Sequence, residues 1–196
     1  MAGSAHADNG SLFAAFKDTD DLASSERWAL WQPQSEIMGA HLAFAANNNP
    51  QVYYGMNAAL RSLVRWLDGG PAPAHGIPIA IEATTATPVA LVRDNDGLAH
   101  GGLRSPWINA PLRVLSGEPN PGVPLGVLIG QSKPLDAATL KRLYPDGWTD
   151  YERRFSAQLD RAIARGFLLQ DNRAEILALA RDDWDNVNQA SDKVLP

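Results

Sequence analysis

The chain has 196 residues, with 17 lysines and arginines against 22 aspartates and glutamates, and its formal charge of −5 is not offset by any basic stripe. That balance excludes the electrostatic footprint of a nucleic-acid-binding protein. The absence of cysteine excludes disulfides, thiolate nucleophiles and cysteine-ligated zinc.

A chain of this length can bury roughly 70% of its unfolded surface around one core. Residues 1–49 are Ala-rich with scattered aromatics, including Trp28 and Trp31, and read as a loop and short helices over that core. Asn47-Asn48-Asn49-Pro50 closes the stretch as a turn-forming cluster. From Gln51 to Asp68 the apolar residues Tyr53, Met56, Leu60, Leu63, Val64 and Leu67 recur at helical spacing, and Gly69-Gly70-Pro71 stops the pattern. Ile77, Ile79 and Ile81 then alternate with other residues, as do Val89 and Leu91, which is the period of a half-buried strand. Pro78 suits an edge strand. Asp94-Asn95-Asp96-Gly97 supplies turn chemistry for a hairpin returning through Leu98 to Leu103.

Ser105 to Pro134 is rich in Pro and Gly with little periodicity, which predicts an extended segment packed across a surface. The signals then sharpen. Asp136 is placed to cap a short helix through Leu140 and Leu143, ended by Pro145 and Gly147. Thr149 and Glu152 have the capping-box spacing, Phe155, Leu159 and Ile163 follow at i+4, and Gly166 can close that helix. Asp171 opens a last helix with Ile176, Leu177, Ala180, Trp184 and Val187 on one broad face. No apolar run reaches the roughly 18 residues of a membrane span.

Among residues that carry chemistry, His6 stands out, between small neighbours in Ala2-Gly3-Ser4-Ala5-His6-Ala7-Asp8. A general base needs one ring nitrogen facing a nucleophile and the other facing an acid. A histidine near a terminus is otherwise simply solvated. His100-Gly101-Gly102 is similar to the glycine-rich oxyanion loops of some esterases, but it fits equally as the return arm of the hairpin and lacks a third glycine. Ser132 follows Gly130, yet Pro134 stands where the last glycine of a nucleophile elbow belongs. Arg104 is positioned either to bind an acid or to cap carbonyls. His41 and His75 have no partner at a metal-ligand spacing, and His6 with Asp8 makes too few ligands for a metal. Asn9-Gly10-Ser11 is formally a glycosylation sequon.

Nearly the whole chain resembles the C-terminal half of the bacterial α/β-hydrolase domain-containing proteins, a group of large esterase-like serine hydrolases. The residues that carry the likeness are, in order, the segment Ala2 to Asp8, Met56 to Trp66, Asp96-Gly97 and Gly101-Gly102-Leu103-Arg104-Ser105-Pro106-Trp107. Leu115-Ser116-Gly117, Leu135 to Leu140, Leu143-Tyr144-Pro145 and Gly166-Phe167-Leu168-Leu169 continue it. The resemblance implies that His6 is the general base of the triad. In such enzymes the triad runs Ser, then acid, then His along the chain, and no Gly-x-Ser-x-Gly occurs in this sequence.

The expectation is therefore the C-terminal portion of an α/β fold, mostly helical with a small β-hairpin region and lacking most of the central parallel sheet. Its parts are a His-bearing loop and Ala-rich segment (1–49), a helix plus small β region (50–134) and a helical C-terminus (135–190). Its implied activity is carboxylic-ester hydrolysis when joined to a serine-bearing half, with no activity alone, no cofactor and no metal. The implied partners are a small-molecule ester and, through uncovered apolar surface, further copies of the chain; nucleic acid and a membrane span are not expected. A chain complete in itself reads as cytoplasmic, whereas a fragment loses any N-terminal signal. The alternative from another class is a non-catalytic binding module derived from the same fold. A third reading is a small independent enzyme built on His6 and Asp8.

Overall fold

The computed structural model describes residues 1–8, 22–37, 39–83 and 90–192; the sequon Asn9-Gly10-Ser11 and Val89 lie outside them. In chain order the elements are α1 (Ser24–Trp31), β1 (Glu36–Ile37), β2 (Ala40–His41), α2 (Gln51–Leu67), β3 (Ile77–Ile79) and β4 (Gly101–Gly102). They continue with α3 (Pro106–Asn109), β5 (Arg113–Ser116), α4 (Gly126–Ile129), β6 (Gln131–Pro134), α5 (Ala137–Leu143), α6 (Trp148–Ala164), a 3-10 turn (Gln170–Asn172) and α7 (Arg173–Asp192). Among the described residues the strands form three separate antiparallel pairs, β1 with β2, β3 with β4 and β5 with β6. Helix outweighs strand.

The C-terminal third builds the centre of the core because its local signals agree. Asp136 accepts the Thr139 N–H at 2.7 Å and starts α5. Helix α6 begins at Trp148 with Gly147 at its N-cap in a left-handed conformation (φ 63°), so Thr149 already lies inside it and the predicted Thr149–Glu152 capping box does not form. Asp150 orders this end instead, accepting the Asp146 N–H at 3.0 Å and Arg153 at 2.6 Å. Phe155 and Leu159 are fully buried and Ile163 half-buried. At the C-terminus the Gly166 N–H donates to Ile163 O and the Phe167 N–H to Ala162 O, with Gly166 at φ 75°, a Schellman closure.

Helix α7 starts two residues beyond Asp171, after the 3-10 turn, and buries Ile176, Leu179, Ala180 and Val187. Its Trp184 stacks on Tyr151 with centroids 5.2 Å apart, and Tyr144 meets Tyr151 edge-on at 5.3 Å. Such pairs add about 0.5–1.5 kcal/mol to simple burial. Asp183, also on α7, pairs with buried Arg113 of β5 at 2.8 Å, and Asn186 takes a second guanidinium N–H at 2.7 Å.

The middle of the chain departs from the sequence reading in two places. Residues 105–134 are not an extended strap across a surface: β5 and β6 pair in register from Arg113↔Pro134 to Ser116↔Gln131, with Arg113, Leu115, Ser116, Gln131 and Ser132 buried. The pair closes over a Pro/Gly-rich loop, so its strands carry no alternating pattern. Helix α2 has the predicted extent, ended by Gly69 N–H to Trp66 O and Gly70 N–H to Arg65 O. Its buried residues, however, are Gln51, Tyr54 and Ala58. Most of the apolar stripe that revealed the helix faces solvent: Met56, Leu60, Leu63, Val64 and Leu67 are exposed.

The predicted hairpin is present. Asp94 and Leu98 close the turn with an N–H to O bond of 2.8 Å, Gly97 takes φ 84°, and bridges join Arg93 to Ala99 and Ile81 to Leu91. Ile77 and Ile81 are nonetheless exposed and only Ile79 is half-buried.

Candidate functional site

The N-terminal segment is tied into the fold at both ends. The Ala2 N–H donates to Leu103 O at 3.0 Å and the Ala7 N–H to Leu128 O at 2.9 Å. Between them the Asn47 side-chain amide donates to Gly3 O at 2.8 Å and to Ser116 O at 3.0 Å. The space is tight: a side chain at Gly3 would meet Ile108 Cδ1 at 2.5 Å, and one at Gly130 would meet Ser116 O at 2.4 Å. Ala2, Ala7 and Asp8 are buried, whereas His6 is exposed. A fixed backbone thus holds an imidazole out from the surface.

Beside this segment lies a cleft of about 720 Å³, walled by Met1, Gly3 and Ser4 on one side and by Ile79, Leu91 and Leu115 on another. Its polar rim includes Ser116, whose hydroxyl accepts the Glu118 N–H at 3.1 Å, and the Arg93–Glu118 ion pair at 2.6 Å. A volume of this size accommodates a small organic ligand. His6 stands two residues beyond Ser4, outside the lining itself.

The other sequence candidates are structural. Gly101 and Gly102 pair with Ile79 and Ile77, and a side chain at Gly101 would strike Pro78 O at 2.2 Å; the glycines are required by close strand approach. Arg104 caps carbonyls, donating to Ala99 O, to Ile108 O at 3.3 Å and to Asn109 Oδ1 at 2.7 Å. Ser132 is buried in β6 and its hydroxyl has no hydrogen-bond partner, so no base activates it. His41, His75 and His100 are exposed. Among the described residues no group of three histidines, acids or cysteines could hold a metal ion, and no helix is long and apolar enough to cross a membrane.

Comparison with protein families supplies the deciding observation. The model of the alpha/beta hydrolase domain matches residues 1–178. The chain belongs to that α/β-hydrolase family. No curated protein and no solved structure matches it. As an α/β-hydrolase sequence it is unusual in its strands, since those described here pair only antiparallel, and no nucleophile elbow occurs along its 196 residues.

The residue that sequence reasoning missed is Asn47. Asn47, Asn48 and Asn49 are all buried, and each spends its side chain on backbone. Asn48 donates to Leu30 O at 2.6 Å and Gln32 O at 2.9 Å, and Asn49 accepts the Gln51 N–H at 3.0 Å. Three successive amides signal a turn; their long-range partners leave no trace in local sequence.

Proposed function

We propose that this chain supplies the base-bearing part of a serine hydrolase acting on carboxylic esters, with His6 as the general base and with the nucleophilic serine and the acid brought by polypeptide outside these 196 residues. The observation that carries the reading is the anchored segment from Ala2 to Ala7, which presents an exposed imidazole beside a cleft of about 720 Å³. Once a serine hydroxyl lies within about 3 Å of one His6 ring nitrogen, the imidazole takes its proton as the oxygen attacks the ester carbonyl. It then returns that proton to the departing alcohol. The apolar walls Ile79, Leu91 and Leu115 suit the acyl or alcohol chain of such an ester. Neither a cofactor nor a metal has a part in this chemistry.

The test combines this chain with the serine-bearing segment of a homologous family member. Turnover of an activated short-chain ester is expected in the mixture, and His6→Ala should lower it by roughly 10³-fold or more. The isolated chain should resist a fluorophosphonate probe. Stoichiometric labelling of one of its serines, or near-parental turnover of the His6→Ala mixture, overturns the assignment. The non-catalytic reading is favoured by one observation, the uncovered apolar face of α2, whose most direct account follows.

A further inference from the structure

Helix α2 meets the body with one side and is apolar on the other. Gln51, Tyr54 and Ala58 are buried. At 3.6 residues per turn, Met56, Leu60, Leu63, Val64 and Leu67 fall within about 100° of arc on the opposite side. They are between 42% and 76% exposed. Isolated exposed leucines are ordinary; five apolar side chains in one stripe are the pattern by which a helix faces a core.

The stripe adjoins the candidate site. A side chain at Gly55 would meet the Met1 side chain at 2.5 Å, so the segment leading to His6 starts against α2. Met1 also walls the cleft together with Ile79 and Leu91, and the neighbouring Ile77 and Ile81 are exposed as well. Apolar surface therefore extends from α2 along the approach to His6.

We propose that this face of α2 is the docking surface for the serine-bearing part of the hydrolase domain, a sheet whose apolar side packs against Met56, Leu60, Leu63, Val64 and Leu67. The inference rests on the reading of His6 given above. Helices in α/β folds bury their apolar stripe against a sheet layer, and α2 has no such layer among the described residues, whose strands form only two-stranded antiparallel pairs. A second copy of the chain fits less well. It brings another His6 and no Gly-x-Ser-x-Gly, so it would cover the face without completing the site beside it.

The experiment uses the full chain and the serine-bearing segment of a homologous family member, and reads association by titration calorimetry, turnover of an activated ester, and photo-crosslinking from a benzoylphenylalanine placed at Met56. The double variant Leu60→Asp, Leu63→Asp should weaken association at least tenfold while leaving the circular dichroism and melting temperature of the isolated chain unchanged. His6→Ala should leave association at the parental value, and the Met56 cross-link should fall on the partner segment. Association that the double variant does not weaken, a cross-link found only between copies of this chain, or no complex at all overturns the docking surface. Loss of turnover in His6→Ala with undiminished binding by the double variant refutes docking but keeps the catalytic reading. Weakened binding by the double variant with full turnover by His6→Ala keeps docking and refutes the catalytic reading.

Discussion

Replacing Asn47 with Ala removes two hydrogen bonds and leaves everything else at that position in place. The side chain is 2% exposed and donates to Gly3 O and Ser116 O, while the backbone N–H to Ile129 O is untouched. Each neutral bond contributes about 1 kcal/mol net, and stranding buried carbonyls adds to the loss, so the variant should be about 2–3 kcal/mol less stable than the parent. With a urea slope of about 2–3 kcal/mol/M for a chain of this size, the midpoint should fall by about 1 M. Hydrogen exchange localises the effect: the amide of Ala7, bonded to Leu128 O, should lose more protection than amides in α6. Asn47→Asp should be worse than Ala, because a carboxylate presents no donor to two carbonyl oxygens and adds a buried charge. A loss below about 0.5 kcal/mol with unchanged Ala7 exchange would show that the His6 segment is held by other contacts.

Leu159→Ala, at a fully buried site on α6, should cost about 2–5 kcal/mol in chemical denaturation, and a change below about 0.5 kcal/mol would mean that this face does not pack. Gly166→Ala and Gly126→Ala separate two glycine roles by melting temperature. The first meets nothing within 4 Å but sits at φ 75°, costing about 1–2 kcal/mol of backbone strain. The second drives a methyl to within 1.8 Å of Asn120 O and should lower the melting temperature further; the reverse order would refute the packing around α4. Three carboxyls are held below the usual aspartate range, Asp136 by the Thr139 N–H, Asp150 by the Asp146 N–H and then Arg153, and Asp160 by Arg173. Because their folded values lie below the unfolded value of about 3.9, the stability they confer is complete above that value and is lost as the pH falls through the folded ones. Asp182, raised by burial and by Asp185, acts in the opposite sense. The melting temperature should fall from pH 5 to pH 3, and a rise would contradict the assignment.

What the sequence discloses divides by the range of the interactions involved. The ends of α5 and α6 were legible from Asp136 and Gly166 because a cap acts on residues three or four away. The extent of α2 was legible for the same reason, but which face the protein covers is a tertiary fact that periodicity cannot carry. Hydrophobic spacing marked Met56, Leu60 and Leu67 as a stripe, while the contacts that seat the helix come from Gln51, Tyr54 and Ala58. The β5–β6 pair stayed hidden because its buried polar residues depend on distant partners: Arg113 on Asp183 of α7, and Gln131 on Pro119 O at 2.7 Å. His6 was identifiable by residue type and resemblance. Its anchoring was not, since Leu103, Asn47 and Leu128 lie far from it in the chain.

That anchoring bears on how a divided hydrolase site must work. A general base is effective only within about 3 Å of the hydroxyl it deprotonates, and misplacement by about 1 Å can cost 10²-fold in rate. Two separate constraints therefore set the His6 position: the bonds from Ala2, Asn47 and Ala7, which fix the imidazole relative to this chain, and the packing on α2, which fixes this chain relative to the serine. They are distinguishable kinetically. Loosening α2 with Leu60→Asp, Leu63→Asp lowers the occupancy of the complex, so raising the concentration of the serine-bearing segment should restore turnover. Loosening the segment with Asn47→Ala leaves docking intact but blurs the base, so the turnover deficit should persist at saturating partner. Recovery of Asn47→Ala by excess partner would place Asn47 in the docking surface and remove it from the support of His6.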